Sequence, residues 1–259
     1  ITIAASTTLD VNLPPNPLSH ICLAMRWANV AANEAPTINE LLDALTNVEV
    51  LHRGTSIVSM AMDDLYAYNC AVLNHNPIPF RLSDTTGAAV GFLNLIIPFG
   101  RKLYNPMECY PASRSGELIL RLTTSAAPTD FDTITFTTET VELPDAQPKR
   151  FLRATTLQMA APVVGDNDLA LYPSTVYAGL LGFSTTVPTA DALTTSLDRA
   201  KLLMNNIEYD IAQTNFETTW GDWALRSGLA SVMLEHDHRE NIAAAYTQNV
   251  LTERMLIKD

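Results

Sequence analysis

Charged residues are scarce in this chain of 259 residues, and basic residues are the scarcer kind. Charged side chains make up 17% of the sequence, with 16 Lys and Arg against 28 Asp and Glu. The formal net charge of -12 repels a phosphate backbone over the chain as a whole. Direct binding to nucleic acid is therefore not expected.

Cysteines and long apolar runs are also few. Cys22, Cys70 and Cys109 are too scattered for a disulfide framework or a thiolate metal cage, and the apolar neighbours of Cys22 predict a small core side chain. No stretch approaches the roughly 20 apolar residues that a membrane-spanning helix needs, and the start at Ile1 has no leader pattern. Cytoplasmic synthesis is expected, and the missing initiator Met predicts a processed or partial polypeptide.

Catalytic signatures are missing as well. The chain has no Gly-x-Ser-x-Gly elbow, phosphate-binding glycine loop or dinucleotide fingerprint. Gly165 to Asp168 offers carboxylates for Ca²⁺ but lacks the rest of an EF-hand loop, so a turn is predicted there. No catalytic residue, cofactor-binding residue or cofactor is predicted.

The sequence is rich in residues that favour short strands and ordered turns. Hydrophobic residues make up 47%, and 15 prolines accompany abundant Thr and Ala. The predicted strands of the first half are 2–6, 20–28, 45–51, 55–62, 91–98, 116–124 and 131–143. The run from Gly91 to Gly100 predicts a strand buried on both faces, and helices are predicted at 38–44, 63–69 and 240–256.

The first quarter of the chain recurs in the same order about 150 residues later. The clearest pair consists of two alternating strands, Leu45 to Leu51 and Leu197 to Leu203. Each strand ends at a turn that tolerates positive φ, His52-Arg53-Gly54 or Asn205-Asn206, which predicts two hairpins. A repeat of this length indicates two similar domains in tandem.

The domain boundary is predicted in the proline-containing segment from Leu143 to Arg150. Residues 1–146 would form the first domain and residues 147–259 the second. The second copy lacks counterparts of the last strands of the first, which would expose sheet edges. We therefore expect the second domain to be incomplete at its C-terminus, completed by further polypeptide or by another chain.

The two hairpins are followed by the steps Asp64-Leu65 and Asn215-Phe216, and the first is followed further on by the run Gly-Phe-Leu-Asn-Leu-Ile-Ile-Pro-Phe-Gly from Gly91. With these features the chain resembles the double jelly-roll major capsid proteins of tailless icosahedral viruses with an internal membrane. The resemblance implies an all-β fold of two tandem eight-stranded jelly-roll barrels with few short helices. It covers nearly the whole chain as a pattern of strands and turns.

The resemblance also implies a structural function in the virion. Three copies would form a trimeric, pseudo-hexameric capsomer that contacts neighbouring capsomers, minor capsid or penton proteins and an underlying viral membrane, after assembly in the host cytoplasm. No catalysis is implied. From composition, candidate contact segments are Pro14 and Pro15 in the prolyl opening 14–17, the loop 102–115, and Trp220 with Trp223.

Two other interpretations remain open at this stage. His236 and His238 would project from one face of a strand, as in metal-dependent enzymes built from two cupin barrels, although the cupin motif spacing is absent. An exposed charge-mixed turn is the plainer interpretation. Alternatively, Trp220 and Trp223 could form the aromatic platform of a carbohydrate-binding sandwich, or could pack in the core.

Overall fold

The computed structural model describes residues 7–30, 38–72, 77, 79–80, 89–125, 131–157, 165, 167–171, 180–183, 199–204, 207–215 and 254–257. The chain divides into two compact units, Ile1–Pro173 and Ser174–Asp259. The boundary between residues 146 and 147 stays a prediction about where the repeat begins.

The described part of the first unit consists of strands and two short helices. Its elements are β1 (Thr8–Asn12), β2 (Leu18–Asn29), α1 (Ile38–Leu42), β3 (Leu45–His52), β4 (Thr55–Met60), α2 (Met62–Val72), β5 (Val90–Pro98), β6 (Leu118–Thr124), β7 (Phe131–Glu142) and β8 (Ala154–Thr155). These bounds confirm six predicted strands and two helices to within a few residues. The strand predicted at 2–6 lies outside the described residues.

Three antiparallel pairs are nested along the chain. β3 pairs with β4, β2 with β5, and β1 with β6, so each pair encloses the one before it in sequence. β3 also pairs with β6, and β2 with β7, which closes the nested ribbon into two sheets with the orders β1-β6-β3-β4-β8 and β5-β2-β7. A nested ribbon divided in this way between two sheets is jelly-roll topology.

The core lies between the inner faces of these two sheets. Alternate residues of β2, among them Ile21, Leu23, Met25 and Trp27, are at most 1% exposed. The opposing sheet contributes Val48, Val50, Leu118, Leu120 and Leu122, each fully buried. Burial of one such aliphatic side chain stabilises the fold by roughly 1.5–3 kcal/mol, so the alternating pattern supplies the main driving force.

Two expectations about the second sheet are wrong. β5 is not buried on both faces, because its side chains alternate and Phe92 is 52% exposed on the outer side. Cys22 is not a core residue but lies half-buried on the same outer face of β2. Both errors arise because an antiparallel sheet turns only one face to the core, and apolar side chains also occur on the other face.

The outer edge of β5 is closed by side-chain and loop contacts. The Asn69 side chain of α2 donates from Nδ2 to the Ile96 carbonyl and accepts from the Ile96 N–H at Oδ1, both at 2.8 Å. Its Nδ2 also donates to the Leu65 carbonyl at 2.8 Å. Phe80 exchanges backbone hydrogen bonds with Phe92. These contacts satisfy edge groups that would otherwise offer a template for another strand.

The second unit repeats part of the nested arrangement. β10 (Arg199–Met204) and β11 (Ile207–Asn215) form the predicted hairpin, and β9 (Leu180–Phe183) pairs with β12 (Arg254–Ile257) around it. In the first unit, the β2–β5 pair encloses the β3–β4 hairpin along the sequence in the same way. The predicted helix 240–256 is wrong at its end, because 254–256 belong to β12; residues 240–253 lie outside the described part. Pairing with β9 overrides local helical periodicity.

Within the described residues, no helix is long and apolar enough to cross a membrane.

The segment after the predicted domain boundary adds to the first sheet, because β8 pairs in parallel with β4 and the Leu152 N–H donates to the Phe99 carbonyl at 2.8 Å. Residues up to 156 therefore pack with the first unit.

Replacing Asn69 by Leu is expected to lower the free energy of unfolding by about 3 kcal/mol, because the edge groups of Ile96 lose their partner, the fully buried Asn69 side chain. Urea unfolding measures the change. Asn94 lies exposed on β5, the strand that contains Ile96, and Asn94→Leu should change the free energy of unfolding by less than about 0.5 kcal/mol. Equal effects of the two substitutions would contradict the role assigned to Asn69.

Candidate functional site

Loops from distant parts of the sequence meet at one end of the first unit. The Ser113 N–H donates to the Pro15 carbonyl at 2.8 Å, Leu18 and Tyr110 exchange two backbone hydrogen bonds, and the Leu143 N–H donates to the Pro17 carbonyl at 2.8 Å. We call this surface the loop end and define it as residues 13–17, 53–54, 99–117 and 143–153. It joins two predicted contact segments, the prolyl opening and the loop 102–115.

The prolines of 14–17 explain why this segment can receive other loops. Proline has no N–H and holds the chain extended, so the carbonyls of Pro15 and Pro17 remain available as acceptors. Pro15 is exposed, Pro14 is half-buried, and Pro17 is buried. The Asn16 side chain donates from Nδ2 to Glu142 Oε2 at 2.6 Å. The opening is therefore tied to the end of β7 as well.

Aromatic packing holds the centre of the loop end. Tyr110 is 2% exposed, and its ring centroid lies 5.9 Å from that of His52, 5.3 Å from Phe99 and 5.0 Å from Phe151. Burial raises the pKa of the Tyr110 hydroxyl. Edge contacts between aromatic rings are worth about 0.5–1.5 kcal/mol beyond burial. This cluster links the hairpin turn, the end of β5 and the segment after β7.

A buried carboxylate organises one side of the cluster. Glu108 is 7% exposed, and its Oε1 accepts from Arg101 Nε at 3.0 Å and from Arg150 Nε at 2.8 Å. A side chain at Gly100 would place its Cβ 2.1 Å from the Glu108 carbonyl oxygen. Two arginines thus compensate the burial of one charge, and Gly100 permits the close approach of the two backbones.

A second carboxylate lies on the other side, at the β3–β4 turn. Arg53 donates to Glu117 Oε1 at 2.9 Å, His52 Nε2 lies 3.6 Å from Oε2, and the Arg114 N–H donates to Oε2 at 3.2 Å. The Arg53 hydrogen bond, above other causes, lowers the pKa of Glu117. Arg53 and Gly54 have φ of 50° and 79°, the positive values that a type I′ hairpin turn requires.

Tyr104 has an unfavourable backbone conformation at an exposed position. Its φ is 61°, which costs about 1 kcal/mol for a bulky residue, yet its side chain is 62% exposed. The Tyr104 N–H donates to Ser19 Oγ at 2.8 Å, and the ring lies edge-on to His20 with centroids 5.2 Å apart. Contacts from the first unit therefore hold this aromatic residue toward solvent.

Sequence reasoning named the loop 102–115 but not the individual side chains that give the loop end its surface chemistry. Met107 is 45% exposed and Phe151 is 37% exposed, and both belong to the loop end together with Tyr104. The loop end also carries seven exposed cations: Arg53, Arg101, Lys102, Arg114, Lys149, Arg150 and Arg153. A signal was present in the sequence, because six of these seven basic residues lie between 101 and 153 of an acidic chain.

The remaining candidate residues fall elsewhere. Trp220, Trp223, His236 and His238 lie outside the described residues. In the part of the chain that the structure describes, no group of three or more His, Cys, Asp or Glu side chains could hold a metal ion. The two-histidine metal site is therefore an open prediction.

Comparison with known proteins gives a structural likeness without a sequence match. No family model and no curated protein matches the chain. The crystal structure of the STIV MCP superposes with a TM-score of 0.65 at 14% identity, covering 99% of this chain and 81% of that chain. The atomic structure of Sulfolobus Turreted Icosahedral Virus gives a TM-score of 0.67 at 12% identity, covering 99% and 76%.

At these identities the likeness shows the fold. The STIV MCP is a major capsid protein, and these structural neighbours have the double jelly-roll fold. The predicted all-β class with few helices is confirmed. The presence of two complete barrels stays a prediction.

Gly100→Ala is expected to lower the free energy of unfolding by about 3 kcal/mol, because the added methyl group collides with the backbone of Glu108. Gly54→Ala meets no neighbouring atom, so only its positive φ opposes it, at about 1 kcal/mol. Chemical unfolding of both variants tests the difference. A Gly100→Ala effect no larger than that of Gly54→Ala would contradict the close approach.

Stability should fall as the pH drops below about 6.5, the ordinary pKa of His20, which is 2% exposed. Burial lowers its pKa, so the unfolded chain binds the proton more readily, and this contribution to stability is present above that range and is lost as the pH falls through it. Urea unfolding at pH 7 and pH 5 should show the loss, and His20→Asn should reduce it. If His20→Asn loses as much stability between pH 7 and pH 5 as the unchanged chain does, this assignment is refuted.

Carboxylates act in a lower pH window than His20. Hydrogen bonds from Arg121 and Arg53 lower the pKa values of Asp10 and Glu117 from ordinary values of 3.8 and 4.5. Their contribution is present above the ordinary values and is lost as the pH falls through the lowered ones. The titration of these two carboxylates therefore falls below the interval from pH 7 to pH 5, and the comparison with His20→Asn identifies the share of His20 within it.

Proposed function

We propose that this chain is a major capsid subunit of an icosahedral virion. The observation that carries the proposal is the likeness to the STIV MCP along 99% of the chain. The nested strand pairs of both units support it, because nested pairing is the pattern of a jelly roll and is not a feature of every β-rich protein. The subunit works by assembly, without catalysis or a cofactor.

Three copies form a trimeric capsomer with a pseudo-hexagonal outline. Each subunit has two similar barrels, residues 1–146 and residues 147–259. A closed ring of three subunits therefore presents six similar footprints. A closed ring satisfies every interface between copies. Neighbouring capsomers, minor capsid or penton proteins and an underlying membrane are the further partners, within a virion assembled in the host cytoplasm.

Two groups of residues are candidates for contacts in the assembly. Pro14 and Pro15 lie at the loop end of the first unit, where Pro15 is exposed. Trp220 and Trp223 belong to the second unit and offer large apolar areas of the kind that dominates subunit contacts. Loss of such an anchor weakens an interface by 2 kcal/mol or more in typical cases, roughly a thirtyfold change in affinity.

Light scattering and negative-stain images should show a particle of three 28.3 kDa chains with a hexagonal outline. The double variant Trp220→Ala, Trp223→Ala should shift the mass toward one chain at micromolar concentration, while Arg26→Gln, an exposed change on β2, should leave it unchanged. A monomer at high concentration would refute the capsomer. A monomer that loses bound transition metal in His236→Ala and His238→Ala would support the metal-dependent enzyme.

A further inference from the structure

Two aromatic rings lie exposed on the outer face of the β5-β2-β7 sheet. Phe80 and Phe92 exchange backbone hydrogen bonds of 2.9 and 3.3 Å, and residues directly opposite each other in this way turn their side chains to the same face. Their rings stack with centroids 5.0 Å apart, and both side chains are exposed. The inward positions of β5 belong instead to Leu93 and Leu95, which are buried in the core. The pair therefore presents a broad apolar surface to solvent.

Arg26 follows Phe92 in the same row across the sheet. The two residues are directly opposite each other in the β2–β5 register, and the Arg26 side chain is exposed. In the part of the chain that the structure describes, no carboxylate pairs with its guanidinium group. Arg121, on the outer face of the other sheet, is in contrast bound to Asp10 at 2.8 and 2.9 Å. Arg26 therefore keeps a forked set of donors that fits a carboxylate of another molecule.

Small side chains on β2 leave a trough on either side of Arg26. Ala24 and Ala28 occupy the outward positions next to it along the strand. Neighbouring strands lie about 4.8 Å apart, so the flanking strands β5 and β7 are separated by about 10 Å. Exposed side chains that can form hydrogen bonds line the two sides: Asn94 of β5, and Thr133 and Thr137 of β7. We call this surface the outer trough and define it as the outward residues of 24–28, 92–94 and 133–137 together with Phe80.

The width and the lining of the outer trough determine the ligand that it fits. A width of about 10 Å accepts one extended chain. A sugar ring has a face of C–H groups that stacks on an aromatic ring, and hydroxyl groups at its rim that bond to amide and hydroxyl side chains. A carboxylate attached to a ring stacked on Phe92 reaches Arg26, because opposite residues of an antiparallel pair lie about 4.5–5.5 Å apart. A sugar acid therefore uses the aromatic, polar and cationic parts of the outer trough together.

Glu139 lies on the same face of the sheet, beyond the outer trough. It is opposite Cys22 in the β2–β7 register, about 13 Å along β2 from Arg26 at roughly 3.3 Å per residue. Burial and, after it, the charge of Glu139 raise the pKa of the Cys22 thiol, so this carboxylate acts on the far end of the face. A ligand carboxylate would be repelled there. The acid groups of a ligand are therefore favoured at the Arg26 end of the face.

We propose that the outer trough binds an acidic oligosaccharide, a short chain that contains uronic acid residues. Phe80 and Phe92 stack on a sugar ring, and Arg26 pairs with the carboxylate of that ring. The amide and hydroxyl side chains along the two sides bond to its hydroxyl groups. This inference goes beyond the proposed capsid function, because it gives a carbohydrate partner to a face that the proposed assembly contacts do not include.

Isothermal titration calorimetry of the 259-residue chain with a short oligogalacturonate tests the proposal. The matched ligand is the methyl ester of the same oligosaccharide, which keeps every ring and loses the charge. The acid should bind about tenfold more tightly than the ester, because the ester cannot form the charge-assisted pair with Arg26. Equal affinities, or no binding of the acid, would overturn the proposal.

Charge variants locate the surface. Arg26→Gln should lower the affinity for the acid about tenfold and leave the affinity for the ester unchanged, so that the two ligands become equal. Lys102→Gln removes the same charge from an exposed position of the loop end and should retain the preference for the acid. If both substitutions weaken binding equally, net charge rather than the outer trough is responsible, and the proposal fails.

Phe92→Thr separates stacking from charge. The variant should bind both ligands severalfold more weakly and keep its preference for the acid, because the aromatic contact is lost while Arg26 remains. Urea unfolding verifies that the variant is folded. Thr137→Val keeps the shape of an exposed β7 side chain, removes its hydroxyl and should also weaken binding. Unchanged affinities in both variants would contradict the assigned site.

Two further measurements distinguish a sugar acid from other occupants of the outer trough. A short polyglutamate that binds as tightly as the oligogalacturonate would assign the trough to carboxylates in general and overturn the carbohydrate class. A particle mass that falls in Phe92→Thr would assign the face to a second copy of the chain, which also overturns the proposal. A constant mass together with selective binding of the acid supports it.

Discussion

The position of β2 between β5 and β7 is the constraint on which the rest of the first unit depends. Side chains alternate along a strand, so a slip by one residue would move Ile21, Leu23 and Met25 from the core to the outer face. Trp27 pairs with Gly91, and a Cβ at Gly91 would lie 2.2 Å from the Trp27 ring. A large ring over a residue without a side chain therefore fixes the register of the sheet.

This constraint also determines where the surface chemistry gathers. In the nested arrangement, the connections β1–β2, β3–β4 and β5–β6 all emerge at one end, together with the segment that follows β7. Residues as far apart as Pro15 and Ser113 become hydrogen-bonded neighbours. The positive charge of the loop end is thus a property of the topology, since the basic residues that form it come from separate loops.

Local sequence pattern predicted much of this fold. Six strands of the first unit and both hairpins were recognisable because alternation and turn residues act over a few positions, as at Arg53-Gly54, whereas β1 and β8 were not predicted. The pattern failed where the answer depends on distant partners. Cys22 and Phe92 face outward because of sheet position, 254–256 join β9 instead of continuing a helix, and Tyr104 becomes an exposed aromatic through contacts with Ser19.

The nesting of strand pairs also implies an order of events as the chain folds. The β3–β4 hairpin closes a loop of a few residues, whereas β1 and β6 must bring Asp10 and Arg121 together, 111 positions apart. Loop-closure entropy rises with the logarithm of loop length, so direct closure of the outer pair is slow. If the inner pair forms first, each enclosing pair needs to close only the short remaining stretch. We therefore expect this unit to zip outward from its central turn, with the β1–β6 pair among the last to form.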